Sequence, residues 1–195
     1  MTFTTSAPKR AILAGATCLL ILSGMIVGHA WPLWTGQVVT MKVIPADPRD
    51  LFRGEFVHLT TVANELYRPG AAAQGASWSY DRPLDDVFER SRPGSIVYVQ
   101  LVAAPSGDYV PVSVSLEPQH GMLNLRGRVS YPFGSSGALS VNYGVDAFYM
   151  QEGKGRRVEE AIRQRRNVQI QIAIASSGQA RIKTLLIDGV PVDRF

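Results

Sequence analysis

An unbroken apolar run occupies the N-terminal part of the chain. Residues 11–30 carry no charge, and a helix of 20 residues covers ~30 Å, which is the thickness of the hydrocarbon core of a bilayer. Lys9 and Arg10 come just before this run, and two tryptophans come just after it. Basic residues before the run and aromatic residues after it indicate a membrane-spanning helix whose N-terminus lies in the cytoplasm.

This pattern predicts three regions: a cytoplasmic N-terminus (1–10), a transmembrane anchor (11–30) and an extracytoplasmic domain (31–195). A signal peptide cleaved after Ala30 stays open as an alternative, because Gly28 and Ala30 are small. The apolar regions of cleaved signals are usually ~7–15 residues long, so the length favours a retained anchor. His29 is expected at the membrane interface.

Beyond the apolar run, apolar and polar residues alternate in short segments that are broken by glycine and proline. A period of two with frequent turn residues is typical of antiparallel β-sheets. The predicted strands are 37–44, 55–62, 95–102, 109–117, 122–130, 139–150, 168–175 and 180–187. Turns at 106–108 and 176–178 are predicted to close hairpins between neighbouring strands. The expected fold is therefore mainly β: an N-terminal transmembrane helix followed by a compact antiparallel β domain.

One segment of the domain has helical character instead. Residues 156–166 read RRVEEAIRQRR, with good helix formers and a charged majority, so a short surface helix is predicted. This helix is a candidate docking surface for an acidic partner or lipid headgroups. The alternative is a solvated face with internal Glu–Arg pairs, each worth a few tenths of a kcal/mol. The candidate docking residues are Arg156, Arg157, Arg163, Arg165 and Arg166.

Charge and cysteine content narrow the possible functions. The chain has 20 Lys and Arg against 16 Asp and Glu, and the balance after Arg10 is 18 against 16. That excess is too small to suggest nucleic-acid binding. The single cysteine, Cys18, lies inside the apolar run and offers neither an intrachain disulfide nor a thiolate metal site. No cofactor or metal is expected.

The densest cluster of polar and turn-forming residues is VIPADPRDLFRGEFVHLTT, residues 43–61. Its prolines disfavour helix, Asp50 can accept hydrogen bonds from nearby amides, and Gly54 can adopt a positive φ. The interleaved arginines can neutralise the acids without a metal, although the acids could also be pictured as Ca²⁺ ligands. The stretch is predicted to be a structural turn or a binding motif, with the candidate residues Asp47, Asp50, Arg53, Gly54, Glu55, Phe56 and Leu59.

These residues resemble the bacterial GDYXXLXY family, named for the motif Gly-Asp-Tyr-x-x-Leu-x-Tyr. The motif falls on Gly54, Glu55, Phe56, Leu59 and Thr61. Glu55 keeps the acid of the motif's Asp and Phe56 keeps the ring of its first Tyr, whereas Thr61 replaces the final Tyr. YGVDAFYMQEGKGRRVEE (143–160) and RIKTLLIDGVPV (181–192) also resemble the family's later strand-to-helix segment and its last hairpin. The resemblance implies a small membrane-anchored protein, commonly encoded near multi-spanning membrane proteins, and implies no reaction.

The sequence contains no complete motif for nucleophilic catalysis or phosphate binding. A serine stands three residues before a lysine only at Ser6 and Lys9, in the predicted cytoplasmic N-terminus. No G-x-S-x-G occurs, and Gly153-Lys154-Gly155 lacks the first glycine of a phosphate-binding loop. The favoured function is a single-pass inner-membrane protein whose periplasmic β domain binds a multi-spanning membrane protein or another envelope partner. The alternative is an anchored hydrolase of signal-peptidase type, which would need polar residues of the 47–55 turn to converge with a Ser or Lys in an open cleft.

Overall fold

The computed structural model describes residues 7–44, 56–58, 60–61, 63–67, 85–131, 138–149 and 154–192. The helices are α1 (Ala7–Thr35), α2 (Asp85–Arg90) and α3 (Lys154–Arg163). The strands are β1 (Gln37–Ile44), β2 (Phe56–His58), β3 (Thr60–Thr61), β4 (Glu65–Tyr67), β5 (Ile96–Ala103), β6 (Tyr109–Ser115), β7 (Leu123–Tyr131), β8 (Ala138–Asn142), β9 (Ala147–Tyr149), β10 (Val168–Ile174), β11 (Ala180–Ile187) and β12 (Val190–Pro191).

The apolar run forms α1, which is longer than the predicted span at both ends. Its 29 residues extend ~43 Å at ~1.5 Å per residue, so the helix is longer than a hydrocarbon core of ~30 Å. The most apolar part of the section 9–35 has a mean hydropathy of 2.2, and none of this part is buried within the protein. Packing against the domain therefore does not account for these apolar side chains, and α1 is suited to cross a membrane.

Gly36 ends α1 and lets β1 begin at once. Its N–H donates to the carbonyl oxygen of Pro32 at 2.9 Å. A Cβ atom at this position would lie 2.3 Å from the same oxygen and 2.9 Å from the Ile174 carbonyl. Only glycine allows the helix end to approach β10 so closely.

Two five-stranded sheets form the domain, together with a two-stranded sheet of β2 and β9. The first has the order β12-β11-β10-β1-β3, and the second has the order β4-β8-β7-β5-β6. All the pairings between described strands are antiparallel, which confirms the predicted class. β1 and β11 have the predicted bounds, and both predicted hairpins, β5–β6 and β10–β11, are present.

Side chains from both sheets form one hydrophobic core. β1 contributes Val39, Met41 and Val43, and β10 contributes alternate isoleucines, so a period of two places one row of each strand inside. These residues belong to the same buried cluster as Val99 of β5 and Leu125 of β7. The two sheets are therefore layers of a single domain.

Two predicted strands were wrong, because each is divided between sheets. The run 55–62 contains β2, which pairs with β9, and β3, which pairs with β1. The run 139–150 contains β8 and β9, separated by a corner at Gly144, where φ is +70°. The side-chain oxygen of Asn142 accepts the N–H of Gly144 at 2.7 Å, a local turn that competes with a continuous strand.

The bounds predicted for the arginine-rich helix were also wrong. α3 ends at Arg163, and Arg165 has a φ of +56°. The N–H of Arg165 donates to the Ile162 carbonyl at 3.0 Å, and that of Arg166 donates to the Ala161 carbonyl at 2.9 Å. This is a Schellman cap, so Arg165 and Arg166 follow the helix. The short elements α2, β4 and β12 were not predicted.

Candidate interaction surfaces

Most of the motif lies outside the described residues. This applies to Asp47, Asp50, Arg53, Gly54, Glu55 and Leu59, while Phe56 is described by its backbone only. The predictions that concern their side chains, including the turn at Gly54, the Ca²⁺ alternative and the hydrolytic cleft, stay predictions.

The strand that follows the motif turn has a defined partner. β2 pairs with β9 in the register Val57↔Phe148 and His58↔Ala147. Two of the three stretches that carry the family resemblance, 43–61 and 143–160, are thus hydrogen-bonded to each other. α3 follows β9 in the chain and contacts β2 and β10. The motif strand, its partner and the arginine-rich helix form one structural unit at the side of the first sheet.

Thr61, at the last position of the motif, is buried at a corner organised by Asn64. The Asn64 side-chain oxygen accepts the Thr61 N–H and hydroxyl, both at 2.7 Å. Asn64 also donates its side-chain NH₂ to the Val141 carbonyl at 3.1 Å and accepts the Val141 N–H at 2.9 Å. Asn64 therefore joins β3 of one sheet to β8 of the other. This role of Asn64 was not predicted from the sequence, in which the available signal was a turn-favouring asparagine after a short alternating run.

Tyr143 is the second junction between the sheets that the sequence did not reveal. Its ring is buried, and its hydroxyl donates to the Ala63 carbonyl at 2.6 Å. Gly127 of β7 leaves room for the ring, because a Cβ there would lie 2.8 Å from two Tyr143 ring atoms and 2.3 Å from a Val141 methyl group. The Tyr-Gly pair at 143–144 thus has a packing role.

α3 turns one face to the core and the opposite face to solvent. Val158 and Ala161, three residues apart, are buried on one face. Arg163 is exposed on the opposite face, and Arg157 is exposed at the edge of the buried face. Arg157, Arg163 and the following Arg165 make no hydrogen bond or ion pair with the described part of the chain. Glu160 accepts a hydrogen bond from Gln164 at 3.3 Å. The side chain of Arg156 lies outside the described residues.

Arg166 differs from the other candidate docking residues, because it is engaged within the domain. Its Nε and Nη2 donate to Oδ2 of Asp188 at 2.8 and 2.6 Å. The Asn167 N–H donates to Oδ1 of Asp188 at 3.1 Å. The hydrogen bond from Arg166 is the main cause that lowers the pKa of Asp188, helped by the backbone bond from Asn167 and opposed by desolvation. Arg166 ties the end of α3 to the β11–β12 turn.

The C-terminal part of α1 rests on β10 and β11. Pro32 is buried there, and Nδ1 of His29 lies 3.2 Å from Nη2 of Arg181 on β11. Trp31 and Trp34 remain 54% and 68% exposed. The two rings are thus free to face a membrane interface, and His29 has a polar partner that the sequence did not indicate.

Two open cavities lie near this end of the domain. The larger, of about 620 Å³, lies between the end of α1, the β6–β7 loop with His120, and the β10–β11 turn. The smaller, of about 310 Å³, is lined by Arg126, Arg128 and Arg181 among other residues. No group of three His, Cys, Asp or Glu side chains within the described ranges is placed to hold a metal ion.

Comparisons with known proteins give one family and one partial relative. The GDYXXLXY protein family matches residues 18–185. Malate dehydrogenase 2 of Rhodopseudomonas palustris (strain BisB18) is 33% identical over 73 residues, which are 37% of this chain and 22% of that protein. The chain therefore spans about a fifth of the length of this relative. No solved structure gives a significant match.

Proposed function

We propose, from the premise that this chain belongs to the GDYXXLXY protein family, that it is a single-pass inner-membrane protein whose periplasmic β domain binds an acidic envelope partner. The family and the exposed apolar α1 are compatible with a membrane anchor. The orientation follows from Lys9 and Arg10, because basic residues flanking a span remain on the cytoplasmic side.

The packing of α1 supports an anchor that is retained. The helix runs without interruption past Ala30 to Thr35, and it contacts β11 through His29. Cleavage after Ala30 would cut inside this helix and remove His29 from Arg181. A continuous helix offers a signal peptidase no extended segment at this point.

Topology is tested with reporters fused after Phe195. A reporter that is active only outside the cytoplasm should give signal, and full-length protein should remain in the membrane during carbonate extraction. Activity of a cytoplasmic reporter would contradict the orientation. Release of the full-length chain by carbonate would contradict retention.

The exposed arginines of α3 are the observation that carries the partner proposal. Arg157 and Arg163 are both exposed, Arg163 opposite the buried Val158 and Ala161 and Arg157 at the edge of that buried face. No described residue neutralises them. Arginine binds carboxylates through two parallel hydrogen bonds, and charge complementarity speeds association. A partner with an exposed acidic segment, such as a loop of a multi-spanning membrane protein, fits this surface.

Charge reversal at Arg157 and Arg163 tests this surface. Exposed substitutions usually change stability by less than ~0.5 kcal/mol, so the fold should be preserved. The matched control reverses Lys42 and Lys183, which are exposed on the first sheet, and changes the net charge equally. Arg166 is left intact because of its bond to Asp188.

The measurement is cross-linking in native membranes followed by mass spectrometry at low and high salt. The wild type and the lysine control should give the same acidic partner, with a yield that falls as salt rises. The α3 variant should lose that partner. An unchanged yield of the same partner from the α3 variant would refute the proposal and leave α3 as a solvated face.

Neither alternative activity gains support from the described residues. A nicotinamide-dependent dehydrogenase binds its cofactor on parallel βαβ units, whereas every described strand pairing here is antiparallel. The short match to malate dehydrogenase 2 therefore does not lead us to propose that activity. The residues on which an anchored hydrolase depends lie outside the described ranges.

A further inference from the structure

Three arginines from distant parts of the sequence converge on the smaller cavity. Arg126 and Arg128 come from β7, and Arg181 comes from β11. The backbone of Gly127 and of Gly144 completes much of the wall. We refer to Arg126, Arg128 and Arg181 with this cavity of about 310 Å³ as the arginine pocket.

A close backbone contact between the two sheets builds this pocket. β8 pairs with β7 from Tyr131 only as far as Arg128. Beyond that point, the N–H of Arg126 donates to the carbonyl of Gly178 in the β10–β11 turn at 2.8 Å. Gly178 has a φ of +81°, and a Cβ there would lie 2.9 Å from the Cβ of Arg126. The turn therefore rests on β7 and holds Arg181, three residues further on, near Arg126.

Positive charge in the pocket is not matched by the domain. None of the described lining residues is acidic. Asp146, which is not a lining residue, accepts a hydrogen bond from the lining residue Asn142 at 3.1 Å. The three arginines of the pocket therefore exceed this one carboxylate in charge. Arg181 donates from Nη1 to the Ala180 carbonyl at 3.0 Å, whereas its Nε is buried without a partner. A buried donor that lacks an acceptor is unfavourable, and guanidinium groups bind oxygen-rich anions through strong charge-assisted hydrogen bonds.

The pocket also lies beside the membrane helix, because Arg181 contacts both the pocket and His29 of α1. The exposed Trp31 and Trp34 follow within two turns of His29, and tryptophan prefers the level of the lipid headgroups. Tryptophans at that level would place the arginines of the pocket close to the phosphate groups of the lipids. We propose that the arginine pocket binds the phosphate of an anionic phospholipid headgroup.

This inference depends on the membrane anchor of the proposed function, but it is independent of the partner at α3. Guanidinium groups match phosphate oxygens in a planar, two-bond geometry. A basic residue near an anionic membrane surface contributes about 1 kcal/mol, which is about a fivefold gain in affinity. Loss of two arginines should therefore weaken the binding of anionic lipid about 25- to 30-fold.

The test uses the full-length chain in nanodiscs that contain equal amounts of phosphatidylglycerol and phosphatidylcholine. After release into the gas phase, native mass spectrometry counts the lipids that remain bound. The wild type should retain phosphatidylglycerol preferentially, and Arg126→Gln/Arg181→Gln should lose that preference. Arg157→Gln/Arg163→Gln removes the same charge from α3 and should retain it. A single variant, Arg128→Gln, removes one charge at an exposed position and should lower the preference about fivefold.

Three results would overturn the inference: equal retention of both lipids by the wild type, unchanged preference in the Arg126/Arg181 and Arg128 variants, or an equal loss in the α3 control. An excess of inorganic phosphate distinguishes the source of the anion. Displacement of phosphatidylglycerol by free phosphate would indicate a soluble-anion site and would contradict the lipid assignment. Failure of the anchor would appear separately, as release of the chain by carbonate.

Discussion

The arginines of α3 and those of the arginine pocket differ in how the chain brings them together. The α3 group is contiguous in sequence, and Arg157 and Arg163 are placed at the surface by the helical period alone. The pocket group is dispersed along the sequence and is assembled by a turn of one sheet against a strand of the other. Contiguous charge is visible in a sequence but is usually solvated, whereas convergent charge depends on packing and points more strongly to a ligand.

Gly178→Ala should have the largest effect, because it removes the contact on which the pocket depends. A residue with a side chain at a φ of +81° costs about 1–2 kcal/mol. Contact of the new Cβ with Arg126 at 2.9 Å adds overpacking of about 1–3 kcal/mol. We expect the free energy of unfolding of the full-length chain in detergent to fall by about 2–5 kcal/mol in a urea titration.

Gly189→Ala is the matched control, since its φ is also +81° but no atom lies within 4 Å of the new Cβ. Gly189→Ala should lower the free energy of unfolding only by the strain of a positive φ, which is about 1–2 kcal/mol. If both variants lost the same free energy of unfolding, the contact between the β10–β11 turn and β7 would not contribute to stability. The pocket arginines would then not differ from the α3 arginines in their dependence on packing.

The sequence predicted the sheets better than the junctions between them. β1 and β11 have the expected bounds because each is a largely apolar run between turn-forming residues: β1 follows Gly36 and precedes Pro45, and β11 precedes Asp188-Gly189. The runs 55–62 and 139–150 keep a period of two through a corner, so the pattern alone could not reveal that each is divided between two sheets. The turn at Asn142 and Gly144 was a signal for the second corner. No turn or motif in the sequence indicates that Arg181 lies close to Arg126 and Arg128 of β7, because this proximity depends on packing between the sheets.

Tyr143→Phe tests the wall of the pocket with a smaller change. The variant keeps the ring that fills the space over Gly127 and removes the hydroxyl that donates to Ala63 at 2.6 Å. A buried carbonyl left without its donor costs about 1–3 kcal/mol. The midpoint of urea unfolding should fall accordingly with an unchanged slope. Tyr98→Phe, at a half-buried position on β5, is the control. A similar fall of the urea midpoint in this variant would show that the hydrogen bond from Tyr143 to Ala63 does not stabilise the domain more than any other tyrosine hydroxyl.

Arg165→Gly tests whether the arginine that follows α3 serves the C-terminal cap of the helix or a contact of its side chain. Arg165 adopts a φ of +56° at the C-terminal cap, a conformation that favours glycine and costs other residues about 1 kcal/mol or more. The glycine variant should therefore be more stable, by up to about 1 kcal/mol, after allowance for the greater freedom of the unfolded chain. A lower melting temperature would show that the Arg165 side chain makes a contact that outweighs the strain. Binding of the partner should depend little on this residue if Arg157 and Arg163 carry the surface.

Asp188→Asn should have the smallest effect, and it depends on pH. Both partners of the Arg166–Asp188 pair are 47% exposed, so solvent and salt screen their attraction. The pair lowers the pKa of Asp188 below its usual value of 3.8. A carboxyl whose pKa is depressed in the folded state contributes stability above its unfolded pKa, and this contribution is lost as pH falls through the folded pKa. The wild type should thus be slightly more stable than the variant at neutral pH, and the two should converge as the pH falls below 3.8. High salt should reduce the difference in stability at neutral pH.

If the difference in stability between wild type and Asp188→Asn instead grew on acidification, the Arg166–Asp188 bond would not be its source. Arg166 would then return to the group of α3 arginines that are available to a partner.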